Sequence, residues 1–234
     1  FPRVGIICLK YNPNKPDDKL RDRLILSKGH GCLALYALLA DKNFFEKKNL
    51  KSTSKFNSIL GGHPEYGKVP GVEASTGALG HGPAIGVGMA IGAKLNKISY
   101  KTYVIVGDGE INEGSFWESS MIASKYKLNN FHIIIDYNKI QSYGKTKEIL
   151  DLEPLRKKLD SFGYSVSEVN GHDISKLNKY FNKIKKNKIK PTALICHTIK
   201  GKGFPFAESN PYWHHKNFFT NEEVKEINKY LGKE

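Results

Sequence analysis

Two short stretches carry the residue types from which a metal-assisted anion site can be built. The first is Gly107-Asp108-Gly109-Glu110-Ile111-Asn112-Glu113-Gly114, directly after a β-rich run, Thr102-Tyr103-Val104-Ile105-Val106. Glycines on either side of Asp108 allow a tight turn and close approach of a ligand to the backbone. Asp108 supplies a hard carboxylate oxygen of the kind Mg²⁺ or Ca²⁺ prefers. A helix is expected behind the turn, where its free N–H groups and dipole would favour a diphosphate. The second stretch, Asp136-Tyr137-Asn138-Lys139-Ile140, ends the next apolar run, Phe131-His132-Ile133-Ile134-Ile135. Asn138 stands thirty positions after Asp108 and offers a neutral amide oxygen, and the Ile140 carbonyl offers another. One carboxylate, one amide, one carbonyl and two diphosphate oxygens nearly fill an octahedral shell, which a water would complete.

Such a site needs a scaffold that brings two strand ends to one edge. Besides the two runs above, Ser165 to Val169 and Thr192 to Cys196 read as strands. Continuous apolar strands of this kind suit a parallel sheet covered on both faces. Helical patterns lie between them at Pro83 to Leu95, Glu113 to Lys127, Leu155 to Phe162 and Ile174 to Lys186. A terminal helix is expected over Asn221 to Leu231, with Thr220 as N-cap and Glu223 three residues on. Alternation of strands and helices predicts an α/β fold, a doubly wound and mostly parallel sheet with helices on both faces. Ligands of such sheets sit beyond the carboxyl ends of the strands, which singles out the loops after Val106, Ile135 and Cys196. With 234 residues and no internal repeat, the chain reads as a single domain spanning 1–234.

The net charge is +14. The lysines behind it are scattered, crowding only at Lys183 to Lys190 and around Lys47 to Lys55. No zinc-finger, RNA-recognition or helix-turn-helix pattern accompanies them, so nucleic acid is not the expected partner. A basic balance also suits anionic, phosphorylated small molecules. No apolar run approaches the ~20 residues of a membrane span. Cys8, Cys32 and Cys196 are widely spaced, which fits buried thiols in a reducing cytoplasm better than a disulfide framework.

Gly107-Asp108-Gly109 followed by Asn138 resembles the thiamine-diphosphate signature, and the surrounding words resemble the transketolase family. Arg21 to Gly31, ending Ser27-Lys28-Gly29-His30-Gly31, is similar to the family's early histidine loop. Gly62-His63-Pro64-Glu65 is similar to the next histidine motif, and Ser75-Thr76-Gly77-Ala78-Leu79-Gly80-His81-Gly82 to its glycine-rich segment. Thr198-Ile199-Lys200-Gly201-Lys202-Gly203 with Trp213-His214 is similar to its late lysine-and-histidine pair. The agreement runs in order from about Asn12 to about His215.

That resemblance implies roles. Asp108, Asn138 and the Ile140 carbonyl would ligate Mg²⁺, with Ca²⁺ or Mn²⁺ as alternatives. Gly77, Ala78, Leu79, Gly109, Glu113, Asn138, Lys200, His30 and His214 would contact thiamine diphosphate. His30, His63 and His214 would line the substrate channel as catalytic residues, since histidine shuttles protons near neutral pH. Lys28 would join them in holding the substrate's anionic or hydroxyl groups. Glu113 and Glu118 are expected either at a subunit interface near the cofactor or as helix-start glutamates favoured by the dipole. His81 stands where the family commonly has glutamine, and His172 and His215 receive no role.

The implied reaction moves a two-carbon ketol unit from a ketose, expected to be phosphorylated, to an aldose. The chain has no second sheet-rich region to carry the glutamate that activates the cofactor in full-length relatives. The resemblance therefore implies a separately encoded C-terminal partner supplying the pyrimidine-binding domain. It also implies self-association through the diphosphate domain and a heterotetramer. The opening Phe1-Pro2-Arg3-Val4 matches nothing expected of the family and reads as a truncated start. Two alternatives stay open: another thiamine-dependent component acting on pyruvate or a 2-oxo acid, and a non-catalytic relative.

Overall fold

The apolar runs become strands, as their β-branched content favours. The computed structural model describes residues 9–214, 216 and 218–232. Cys8, His215 and the opening Phe1-Pro2-Arg3-Val4 lie outside those residues. In chain order the strands of the main sheet are β1 (Arg23–Leu26), β2 (Thr102–Gly107), β3 (Phe131–Tyr137), β6 (Ser165–Asn170) and β7 (Thr192–His197). They are all parallel, in the order β1-β2-β3-β7-β6. A two-stranded antiparallel hairpin, β4 (Ile140–Gln141) with β5 (Gly144–Lys145), follows β3.

Period-two alternation sends each central strand's side chains to two separate cores. Val104, Val106, Ile133, Ile135 and Ile195 face one side, with Val87, Ala90, Phe116, Ala123 and Leu159 packed on them. Tyr103, Ile105, Ile134, Leu194 and Cys196 face the other, under Leu177, Tyr180, Phe181 and Ile184. The first side is covered by α2 (His81–Leu95), α3 (Gly114–Lys125) and α4 (Leu155–Ser161), and the second by α5 (Ile174–Ile184). The spacing of Leu177, Tyr180, Phe181 and Ile184 is the i, i+3, i+4, i+7 stripe of a helix with one buried face. Helices on both faces of a parallel sheet are the expected architecture.

A third cluster, Cys32, Leu35, Tyr36, Leu39, Phe44, Leu60, Val69 and Val72, gathers around α1 (Cys32–Asp41). Its neighbour segment is fixed to the start of β1 by charge. Glu73, 5% exposed, pairs with Arg21 and with Arg23 at 3.1 Å. Burial, and then the neighbouring Arg23 charge, draw the Arg21 guanidinium down to about 10 against the pull of Asp17 and Asp18. The pairing stands two residues before the glycine-rich segment that opens at Ser75.

The helix expected over Glu113 to Lys127 follows the Gly-Asp-Gly turn, though not immediately. A 3₁₀ turn, Gly109–Asn112, intervenes, and α3 begins only at Gly114 with Glu113 as its N-cap residue. Asp108 caps the 3₁₀ turn instead, accepting from the Gly109 N–H. The last helix, α6 (Asn221–Tyr230), carries the expected capping box between Thr220 and Glu223.

Candidate active site at the carboxyl edge of the sheet

Register places the two chemistry-bearing loops together. Gly107 of β2 pairs with Asp136 of β3, and Asp136 pairs with Cys196 of β7. The chain leaves all three strands at one edge, so the Asp108 turn, the Asn138 loop and the Thr198–Lys200 loop adjoin. The contacts are direct. Asp108 is 2% exposed and accepts from the Gly109 N–H at 2.8 Å and from the Lys139 N–H. Asn138 Oδ1 accepts from the Ile140 N–H at 3.0 Å. Lys200 Nζ donates to the Ile140 carbonyl at 3.5 Å.

The electrostatics match a buried anion-binding edge. Burial pushes the Asp108 carboxyl up to about 6, against the pull of its two backbone donors. Burial, and then the neighbouring Lys28 ammonium, draw Lys200 down to about 8. Lys28 itself is paired with Asp136, which also accepts from the Thr198 hydroxyl. Burial opposes ionisation of Asp136, but the Lys28 charge and these donors hold it below the usual carboxylate range. Lys28 is thus tied to a strand end, and the loop that bears it is tied with it.

The donor set fits a hard divalent cation shared with a diphosphate. Among the described residues there is no group of three or more His, Cys, Asp or Glu that could hold a metal alone. Asp108 brings one carboxylate, Asn138 one amide oxygen and Ile140 one carbonyl, so oxygens of a bound ligand must supply the rest. The Gln141 amide nitrogen is buried without a hydrogen-bond partner and its side chain lies against Gly109. A polar ligand at this edge would relieve that cost.

The histidines gather unevenly. His30 and His214 have ring centroids 5.5 Å apart, and Lys200 Nζ meets His214 Nδ1. An ammonium against Nδ1 leaves the neutral ring's proton on Nε2, which makes that edge a donor. His63 lies on the glycine-rich segment: a Cβ on Gly77, whose φ is +143°, would stand 2.6 Å from the His63 ring. Gly29, next to His30, leaves no room for a Cβ, which would be 2.7 Å from backbone atoms of Thr76 and Gly77. The early histidine loop and the glycine-rich segment are therefore in backbone contact. Ala78 and Leu79 are exposed beside them.

The remaining sequence-predicted residues sit as follows. Glu113 and Glu118 are exposed, the first at the start of α3 and the second one turn into it. His81 is exposed as the first residue of α2. His172 accepts from the Ile199 N–H at 2.8 Å and so braces the loop before Lys200. Three residues to which sequence reasoning assigns no role belong to this edge: Ser27, Glu110 and Asp136. Apart from Gly107, three residues before Glu110, their partners lie 30 to 108 positions away, where no local spacing signals them.

A parallel α/β sheet with an acidic turn and an amide loop at one carboxyl edge, with histidines and lysines beside them, places this chain among the α/β proteins that bind ligands beyond the carboxyl ends of their strands. Residues 6–234 match the family described as "Transketolase, thiamine diphosphate binding domain". The chain belongs to the transketolase family. It is 46% identical over 203 residues to an apulose-4-phosphate transketolase subunit of Phocaeicola vulgatus, covering 87% of this chain and 72% of that one. It is 38% identical over 200 residues to the 6-deoxy-6-sulfo-D-fructose transketolase subunit SqwG of a Clostridium species, covering 86% and 73%. The crystal structure of Campylobacter jejuni transketolase superposes with a TM-score of 0.88 at 32% identity, covering 98% of this chain and 37% of that one. The chain thus spans little more than a third of that solved transketolase but most of the two relatives named as subunits.

Proposed function

We propose that the chain is the diphosphate-holding component of a two-component transketolase that transfers a ketol unit between sugars. The observation that carries this reading is the meeting of Asp108, Asn138 and the Ile140 carbonyl at one sheet edge, with Lys200, His214 and His30 beside them. When bound, thiamine diphosphate supplies the carbanion-stabilising chemistry. The chain's own task is to bind and orient. Asp108, Asn138 and the Ile140 carbonyl hold Mg²⁺, with Ca²⁺ or Mn²⁺ as substitutes, and through it the diphosphate. Gly77, Ala78, Leu79 and Gly109 offer backbone atoms to the cofactor. His214 presents its Nε2–H, and His30 and His63 complete the proton-handling set around a substrate hydroxyl. Lys200 and Lys28 favour an anionic sugar.

Two relatives name such sugars, one a 4-phosphate and one a sulfonated fructose. An anionic ketose or aldose is accordingly the substrate class proposed here. The designation of those relatives as subunits supports a separate C-terminal partner. Self-association through α2 and α3 is supported by the exposed apolar side chains Ile85, Met121 and Ile122 on these helices and Leu79 just before α2. Two chains and two partners would make a heterotetramer with Glu113 and Glu118 near the interface. Cys32 and Cys196 are free thiols, and no described helix is long and apolar enough to cross a membrane. The thiols favour a cytoplasmic setting.

The test is ketol transfer from anionic ketoses, compared with pyruvate, by this chain with and without its C-terminal partner. Ketose-dependent transfer that needs the partner supports the reading. Robust turnover by the chain alone, or turnover of pyruvate in place of ketoses, overturns it.

A further inference from the structure

Glu110 is a carboxylate where a turn residue would suffice. It follows Gly109 in the 3₁₀ turn and is only 2% exposed. A buried carboxylate is costly unless donors surround it. Here the donors come from three separate segments. One oxygen accepts from the Ser27 hydroxyl and from the Gly80 N–H at 3.0 Å, and the other accepts from the Gly107 N–H at 3.1 Å. Ser27 follows β1 and opens the loop of Lys28, Gly29 and His30. Gly80 closes the segment of Gly77, Ala78 and Leu79. Gly107 precedes Asp108.

The packing around these bonds leaves little slack. Ser27 is fully buried, and a Cβ on Gly82 would collide with its hydroxyl. Gly80 has φ +79°, and a Cβ there would collide with the Ser115 and Glu113 side chains. The Glu110 side chain thus stands at the junction of the metal-bearing turn, the histidine loop and the glycine-rich segment.

We infer that Glu110 is a positioning residue of the cofactor half-site. It sets the register of the Asp108 turn against the two loops that face the same ligand. The inference rests on the proposed thiamine-diphosphate role of that edge. The carboxylate suits the task because it only accepts, and it accepts through both oxygens. A glutamine could satisfy Ser27 and Gly80 with its carbonyl, but its amide would then confront the Gly107 N–H. Glu110→Gln should therefore spare two of the three ties and loosen the one beside Asp108. Glu110→Ala should release all three.

The test measures thiamine diphosphate affinity at saturating Mg²⁺ by calorimetry, in the complex assembled with the C-terminal partner. Apo thermal midpoints are recorded alongside. Leu177→Ala serves as the destabilised control, because Leu177 packs under the opposite face. The expected order is graded: Glu110→Gln weakens binding about tenfold and Glu110→Ala more, whereas Leu177→Ala keeps wild-type affinity at an equal or greater loss of midpoint. A merely structural role would lower the midpoint and leave the affinity of the folded protein unchanged. If Glu110→Ala does not fold, Glu110→Gln decides alone. Wild-type affinity in Glu110→Gln overturns this inference and leaves the functional reading standing. Absence of binding by the wild-type complex overturns both.

Discussion

His132 is a pH-dependent element of this fold whose effect can be worked in advance. It sits near the start of β3, wholly buried, stacked on Tyr103 at 4.8 Å between ring centroids. Its Nδ1 contacts the Thr192 hydroxyl at 2.8 Å, and its Nε2 is buried without a hydrogen-bond partner. Burial, with Lys101 adding to it, draws the imidazole down to about 3. The folded state therefore keeps the ring neutral, while the unfolded chain protonates it below about pH 6.5. Stability contributed by the neutral ring is intact above pH 6.5 and falls with pH from there, levelling only near pH 3. At about 1.36 kcal/mol per pH unit, lowering the pH from 7 to 5 should cost about 2 kcal/mol at this one residue. Other groups titrate in the same interval, so the useful quantity is a difference. Urea unfolding at pH 7, 6 and 5 would be compared between wild type and His132→Phe, which keeps the ring stack and removes the proton site. The variant should lose about 2 kcal/mol less than wild type between pH 7 and 5. An identical pH dependence in the two proteins would refute the reasoning. Cofactor affinity at pH 7 should not move, because β3 separates His132 from Asn138 by roughly 20 Å.

Other outcomes follow from the site. Gly77→Ala places a side chain at φ +143° against the His63 ring. It should cost about 1–3 kcal/mol of stability, read by thermal unfolding, and weaken cofactor binding as well. Asp136→Ala leaves Lys28 and Thr198 without their shared acceptor. Removing it should lower stability by roughly 1–3 kcal/mol and reduce kcat/KM for an anionic ketose. Met121→Glu or Ile122→Glu puts charge on α3, where the native residues are 56% and 43% exposed. Either should shift the protein to a smaller assembly by analytical ultracentrifugation while leaving the urea midpoint of the separated chain nearly unchanged.

Some parts of this molecule are legible in the sequence and others are hidden for definite reasons. β2, β3 and β7 are readable because fully buried parallel strands are continuous apolar runs. The Asp108 and Asn138 loops follow from them, because parallel neighbours end at the same edge. β1 escapes recognition: its four residues, Arg23 to Leu26, open on an arginine engaged by Glu73 and give no apolar run. α1 escapes for the opposite cause, being apolar nearly all round and so without a periodic signal. The position of β7 between β3 and β6 is set by tertiary packing, and no local pattern records it. At the site, turn chemistry announces Asp108, but Glu110 looks like any first-turn acid. Its partners Ser27 and Gly80 are 83 and 30 positions away. Lys28 reads as a substrate ligand, and its engagement with Asp136, 108 positions away, becomes visible only in three dimensions.

The central claim, a metal-bridged diphosphate half-site at Asp108 and Asn138, is tested most directly by titrating thiamine diphosphate into the partner-assembled protein with and without Mg²⁺. Wild type and Asp108→Asn would be measured side by side. The account predicts saturable binding by wild type that requires Mg²⁺, and its loss by at least a hundredfold in Asp108→Asn with the fold intact by circular dichroism. Equal, Mg²⁺-independent binding by both proteins would contradict it.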